Sequence, residues 1–292
     1  MELDLTKLGY FNPKIRNIFR GICKDNKKNF NNIINEIFDD NLDLSLSLPL
    51  SRNTFQSNIF YYLCCIVLIK KIAYSNIKVK KIIVDSDALI QIIKKLKIDK
   101  SIEVVLVNKK RVYITYFFRL IYFFSKEFTK KIVQLFFAKI TKKKIIIPED
   151  IILIDTYVLP GFYTRDRYFP GLLNFLSEKE KNKIFFLPTI SYSKTWNFFR
   201  IFKELRNSSR NFILKEDFLK ITDIFYSISY CFRIQFIKIR SLNFCQIDIS
   251  DLFNEELKNL EGYDLSIEGI INYRFIRRIK KAGIKISTLI DW

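Results

Sequence analysis

Three aspartates stand where apolar, β-branched runs stop: Asp85 closes IIVD, Asp155 closes IILID and Asp291 closes STLID. A carboxylate fixed at the end of a buried strand can take a proton from an attacking hydroxyl or hold a positive group. In open parallel sheets the ligand crevice lies at the carboxyl ends of the strands, where these acids fall. Aspartate is also a common turn and helix-capping residue, so any one of the three reads first as a structural turn, and it is the three together that could line one edge. Asp87 makes a D-x-D triplet with Asp85, a weak signal by itself.

A second set of residues is suited to binding. The stretch LIDTYVLPGFYTRDRYFPGLL, residues 153–173, carries Arg165, Asp166, Arg167 and Tyr168 between two Pro-Gly pairs. An arginine fork matches phosphate or carboxylate, a neighbouring aspartate fixes its direction, and Tyr168 offers a ring to a sugar or base. Proline at each end stiffens such a loop. The competing reading is a self-paired surface turn. Ser51, Arg52 and Asn53 pose the same choice between a solvated helix start and an anion contact beside a helix dipole.

Much chemistry is excluded. The 292-residue chain contains no histidine, which removes the commonest general base and every Ser-His or Cys-His nucleophile. Its 5 cysteines show no CxxC spacing, so neither a zinc site nor a disulfide framework is expected, and a cytoplasmic setting follows. Cys64 and Cys65 read as small core residues. No G-x-G-x-x-G or G-x-x-x-x-G-K-[ST] loop is present, which argues against a NAD-type site and a P-loop NTPase. No metal and no cofactor is expected.

The elements that must position these residues follow from periodicity. Residues 1–50 are Asn-rich and read as a helical and irregular N-terminal segment. Residues 51–292 alternate strands and helices, which predicts one Rossmann-like α/β domain with a mostly parallel sheet and helices on both faces. Strands are expected at 80–85, 102–107, 151–155, 183–188, 245–250 and near 284–291. Helices are expected at 55–74, 87–96, 111–140, 194–205, across most of 211–240, and at 252–260 and 266–281. The longest uncharged apolar run, residues 59–69, is too short to span a bilayer as a helix.

The formal charge is +20, from 50 Lys+Arg against 30 Asp+Glu. Such a field favours an anionic partner, although Lys-, Ile- and Asn-rich composition also accompanies AT-rich coding. Wound as a helix, residues 111–140 gather Arg111, Arg119, Lys126 and Lys130 on one arc and aromatic residues mostly opposite. A basic face against an aromatic face describes an interfacial helix at an anionic membrane surface. The alternative is a core helix with solvated lysines. Nothing resembling a helix-turn-helix, RRM or zinc finger accompanies the charge, which counts against a nucleic-acid partner.

The texture of SRNTFQSNIFYYLCC (51–65), KKIIVDSDAL (80–89), residues 153–173, KIFFLPTIS (183–191) and AGIKISTLIDW (282–292) resembles the N-terminal, acceptor-side half of GT-B-like glycosyltransferases of bacterial surface-polysaccharide (capsule or lipopolysaccharide) biosynthesis. The resemblance implies transfer of a sugar from a nucleotide-sugar to a lipid-linked glycan acceptor by a peripheral protein at the inner face of the membrane. It also implies a second Rossmann-like half, either on a separate chain or in a longer protein of which this sequence is a fragment. Without histidine, the base would be Asp155 or Asp85. The other readings are a non-catalytic membrane-surface or scaffold protein of the same fold, and a basic nucleic-acid-binding protein.

Overall fold

The expected alternation of strands and helices is realised in a computed structural model. It describes residues 1–291 apart from 8, 38–40, 52–56, 76, 97–100, 108–112, 144, 160–170, 191–193 and 261. In chain order the elements are β1 (Glu2–Asp4), α1 (Pro13–Ile37), α2 (Leu42–Ser45), α3 (Ile59–Ala73), β2 (Lys81–Val84), α4 (Asp87–Lys95), β3 (Glu103–Leu106) and α5 (Tyr113–Ile140). Then follow β4 (Asp150–Val158), α6 (Glu178–Lys181), β5 (Ile184–Ile190), α7 (Phe198–Arg206), α8 (Ile221–Ile228) and α9 (Tyr230–Arg233). The chain closes with β6 (Asn243–Phe244), β7 (Ile247–Asp248), α10 (Ser250–Leu257), α11 (Tyr263–Lys281) and β8 (Lys285–Ile290).

The fold is α/β, and it forms two compact units: Met1–Leu120 with Tyr230–Ile267, and Ile121–Ser229 with Glu268–Trp292. The first holds a parallel sheet of order β1-β2-β3. Residues 1–50, set apart in the sequence reading, supply β1 and α1 to this unit. β1 pairs with β2 through Leu3↔Ile82, because Leu3 and Leu5 are buried apolar positions at the sheet edge. α3 is apolar almost all round and correspondingly sinks Tyr62, Leu63, Cys64, Cys65 and Ile66 into the core. Among the described residues, no helix is long and apolar enough to cross a membrane.

The second unit holds a parallel sheet of order β5-β4-β8. β4 and β5 are largely buried, β8 is a mostly exposed edge strand, and Ile154, Phe186, Phe202 and Phe212 meet in one core cluster against the sheet. Phe212 adds a parallel bridge to Phe186 at the open edge of β5, with Phe186 N–H to the Asn211 carbonyl at 2.8 Å and Ile213 N–H to the Phe186 carbonyl at 2.9 Å. Residues 245–250, expected as one strand, instead supply the turn and second strand of the β6–β7 hairpin and the first residue of α10, with Cys245 and Gln246 at positive φ in the turn. The expected helix across 211–240 is broken into the Phe212 bridge, a 3₁₀ turn at Lys215–Asp217, α8 and α9.

Candidate functional site

Parallel pairing delivers the ends of β4, β5 and β8 and the segment after Phe212 to one edge of the second sheet. The sequence places a polar residue at or near each of those ends: Asp155, Thr189, Asp291 and Lys215. The strand order matters as well. β4 is central, the chain passes to β5 on one side and returns to β8 on the other. The carboxyl ends of β4 and β8 therefore flank the point where the order reverses, the position at which open α/β sheets form their crevice.

Asp155 lies within β4 rather than at its end. The apolar run predicts a strand ending at Asp155, but pairing with β5 continues from Asp155↔Leu187 to Val158↔Ile190, so the ladder carries the strand three residues further. Thr189 Oγ1 donates to Asp155 Oδ1 at 3.0 Å, across the two strands. Ile154 pairs with Ile290, which makes Asp291 the next residue beyond the β8 ladder on Asp155's other side. Burial raises the Asp155 carboxyl above the usual aspartate range; the Thr189 hydrogen bond and the Lys215 charge oppose this, and Asp291 adds to it. A carboxyl displaced upward, held by one hydrogen bond and flanked by both charge signs, has the properties of a general base.

Behind this edge lies an ionic cluster that residue spacing did not foretell. Glu268 on α11 bridges two lysines, accepting from Lys131 Nζ on Oε2 and from Lys215 Nζ on Oε1, both at 2.7 Å. The lysine side chains are 16% and 8% exposed, and Glu268 is 37% exposed. Desolvation works against the charge on Glu268, but the two ammonium groups outweigh it and hold the carboxyl far below the ordinary glutamate range. Glu216, beside Lys215, goes the other way: burial raises it despite the same two lysines. α5 contributes Lys131 from a polar buried stripe that includes Glu127 and Gln134, spaced so that all three share a face.

The 3₁₀ turn Lys215–Glu216–Asp217 is the hub of this arrangement. Asp217 anchors it from below by accepting Arg206 Nη2 on both carboxylate oxygens, at 2.5 and 2.6 Å. The Arg206 side chain is 1% exposed. One signal was available in sequence: FIL, residues 212–214, runs straight into the triplet KED, an apolar run ending on charge, as at IILID.

Asp155 and Asp291 belong to the second sheet, whereas Asp85 follows a strand of the first. The shared edge expected for all three aspartates does not form, because Asp85 follows β2 of the other sheet. Asp85 there accepts the Lys7 backbone N–H and the Tyr62 hydroxyl, each at 3.0 Å, as a turn clasp does. Asp87 is exposed in the first turn of α4. Ser51 donates its hydroxyl to the Leu48 carbonyl at 2.7 Å, closing a 3₁₀ turn. Arg52, Asn53, Arg111 and the triplet Arg165, Asp166 and Arg167 with Tyr168 lie outside the described residues. Lys130 pairs with Glu127 at 3.7 Å. Arg119 and Lys126 are exposed.

The first unit fills its own anion positions. A helix N-terminus after a parallel strand commonly receives a phosphate. Here Glu255 of α10 accepts the Ala88 N–H at 2.6 Å and the Ser86 hydroxyl at 3.2 Å at the start of α4. Glu256 accepts the Asn58 N–H at 2.9 Å at the start of α3. Among the described residues, no group of three or more His, Cys, Asp or Glu side chains is disposed to hold a metal ion. The chemistry thus concentrates at Asp155, Thr189, Asp291 and the lysine–glutamate cluster. No protein-family model, no curated protein and no solved structure matches this chain.

Proposed function

We propose that this protein is a Rossmann-like α/β glycosyltransferase of the surface-polysaccharide type, with its chemistry at the carboxyl edge of the second sheet. The observation that carries the reading is Asp155, upward-shifted, oriented by Thr189 and placed where the sheet order reverses. In the proposed step the acceptor hydroxyl gives its proton to the Asp155 carboxylate. The acceptor oxygen forms a bond to the anomeric carbon. The bond from that carbon to the nucleotide oxygen breaks, and its electron pair leaves with the nucleoside diphosphate. Lys215 supplies positive potential to the developing negative charge. Asp155 is preferred to Asp85 because Asp85 is engaged by Tyr62 and Lys7 in a turn. The acceptor is a lipid-linked glycan, and the protein works as a peripheral protein at the inner face of the membrane.

The test uses the purified chain with a panel of nucleoside-diphosphate sugars, alone and with extracted lipid-linked glycans. Nucleotide binding is followed by ligand-observed NMR and release by coupled assay. Binding by the wild type, and loss of release in Asp155→Asn with binding kept, are expected. Asp85→Asn should release at the wild-type rate. Absence of binding across the panel, or equal losses in the two variants, would reject the transferase reading.

A further inference from the structure

The sequence leaves open whether the aromatic residues of α5 enter the core. Its buried arc holds Leu120, Glu127, Gln134, Leu135 and Ala138; among the described residues Phe137 packs against the core only partly buried, and no α5 aromatic is fully buried. Tyr122 stands 70% exposed, and Phe118, one turn earlier on the same helix, 65%. On the neighbouring α8, Ile221 and Phe225 are 55% and 54% exposed. The two helices form one surface, because Phe225 packs edge-on against Phe124 and Phe128 with ring centroids 6.1 and 6.3 Å apart. Large apolar groups left adjacent in water cost free energy and mark a contact surface.

Charge identifies what the surface contacts. Arg119 and Lys126 border the aromatic arc on α5, Lys220 precedes α8, and all three are exposed. The acids of these helices are turned away: Glu127 is buried and Asp223 is buried against Arg274 and Arg278 at 3.1 and 2.8 Å. Among the described residues of α5 and α8 the face is thus apolar and basic, with no exposed acid on either helix. A second copy would press like charges together on a chain of net charge +20. A single-stranded nucleic acid would use the rings but gains nothing from Ile221. An anionic bilayer satisfies every feature: headgroups meet the basic rim while the rings and Ile221 enter the acyl boundary.

We propose that the exposed face of α5 and α8 is a docking surface for an anionic lipid bilayer, with Tyr122, Ile221 and Phe225 inserted and Lys126 and Lys220 on the headgroups. The inference deepens the membrane-peripheral part of the reading above; because it uses no residue of the Asp155 edge, failure of vesicle binding and failure of sugar transfer are distinguishable.

The test is co-sedimentation with vesicles of phosphatidylcholine alone or with about a third phosphatidylglycerol, at low and high salt. Wild type should bind the anionic vesicles and weaken as salt screens the charges. Lys126→Gln/Lys220→Gln should lose roughly 25-fold in affinity for anionic vesicles, about fivefold per basic residue. Tyr122→Ser/Phe225→Ser should lose roughly tenfold or more on the same vesicles. Each variant is first shown to melt as wild type does. Wild-type affinity in both variants overturns the proposal. So do equal binding to neutral and anionic vesicles, tighter binding to a single-stranded oligonucleotide at the same salt, and concentration-dependent dimerisation abolished by the serine variant.

Discussion

Thr189 on β5 donates its hydroxyl to Asp155 on β4 at 3.0 Å, across adjacent parallel strands. The contact is diagonal, since Asp155 itself faces Leu187. It fixes one carboxylate oxygen and leaves the group's ionisation to a balance of burial, Lys215 and Asp291.

That balance sets a pH dependence. The folded carboxyl of Asp155 lies above its unfolded value, so the native state holds a proton that the unfolded chain has lost. Its effect on stability is therefore unfavourable as pH rises from about 3.9, the ordinary aspartate value, through the folded value. Carboxyl ¹³C NMR should show Asp155 titrating above ordinary aspartates. Thr189→Val should move it higher, because the hydrogen bond favours the ionised form. An Asp155 signal in the ordinary range would remove the argument for a base.

Glu268 carries the opposite sign. Its folded carboxyl is depressed, so its stabilisation is present above about pH 4.3 and is lost as pH falls below that. Glu268→Gln leaves Lys131 and Lys215 without their shared counter-charge. A fully buried pair would cost about 3–5 kcal/mol; with Glu268 37% exposed, about 2 kcal/mol is expected. Urea melts at pH 7 should show this loss, and the gap between variant and wild type should narrow progressively as pH falls below about 4.3, the ordinary glutamate value.

The Arg206–Asp217 pair is more deeply buried, with side chains 1% and 12% exposed. Arg206→Met strands a carboxylate in the interior and should cost about 3–5 kcal/mol, while Arg206→Met/Asp217→Leu should regain most of it. A double-mutant cycle in denaturant measures the coupling. Because Asp217 anchors the turn that bears Lys215, the single variant should also shift the Asp155 titration.

Glu255 acts as a cap supplied from a distant helix. Glu255→Ala should cost about 0.5–2 kcal/mol, the range for loss of an N-terminal cap, and should speed amide exchange at Ala88. Unchanged exchange at Ala88 would show that the carboxylate contributes no protection there.

The sequence by itself determined where elements begin, because helix and strand periodicity are set by neighbours a few residues apart. α4 was expected at 87–96 and spans Asp87–Lys95; β2 was expected at 80–85 and spans Lys81–Val84. The burial of Cys64 and Cys65 follows equally from an apolar run too long to leave in water. Tertiary structure alone decided which strands share a sheet, and so that Asp155 and Asp291 belong to one sheet and Asp85 to the other. It also decided that β4 runs past Asp155, since a strand continues while a partner remains to be paired. The lysine–glutamate cluster was least legible. Lys131 and Lys215 lie 137 and 53 residues from Glu268, and each reads locally as an ordinary solvated charge. Only when folding buries the lysines does the need for compensation bring the carboxylate between them.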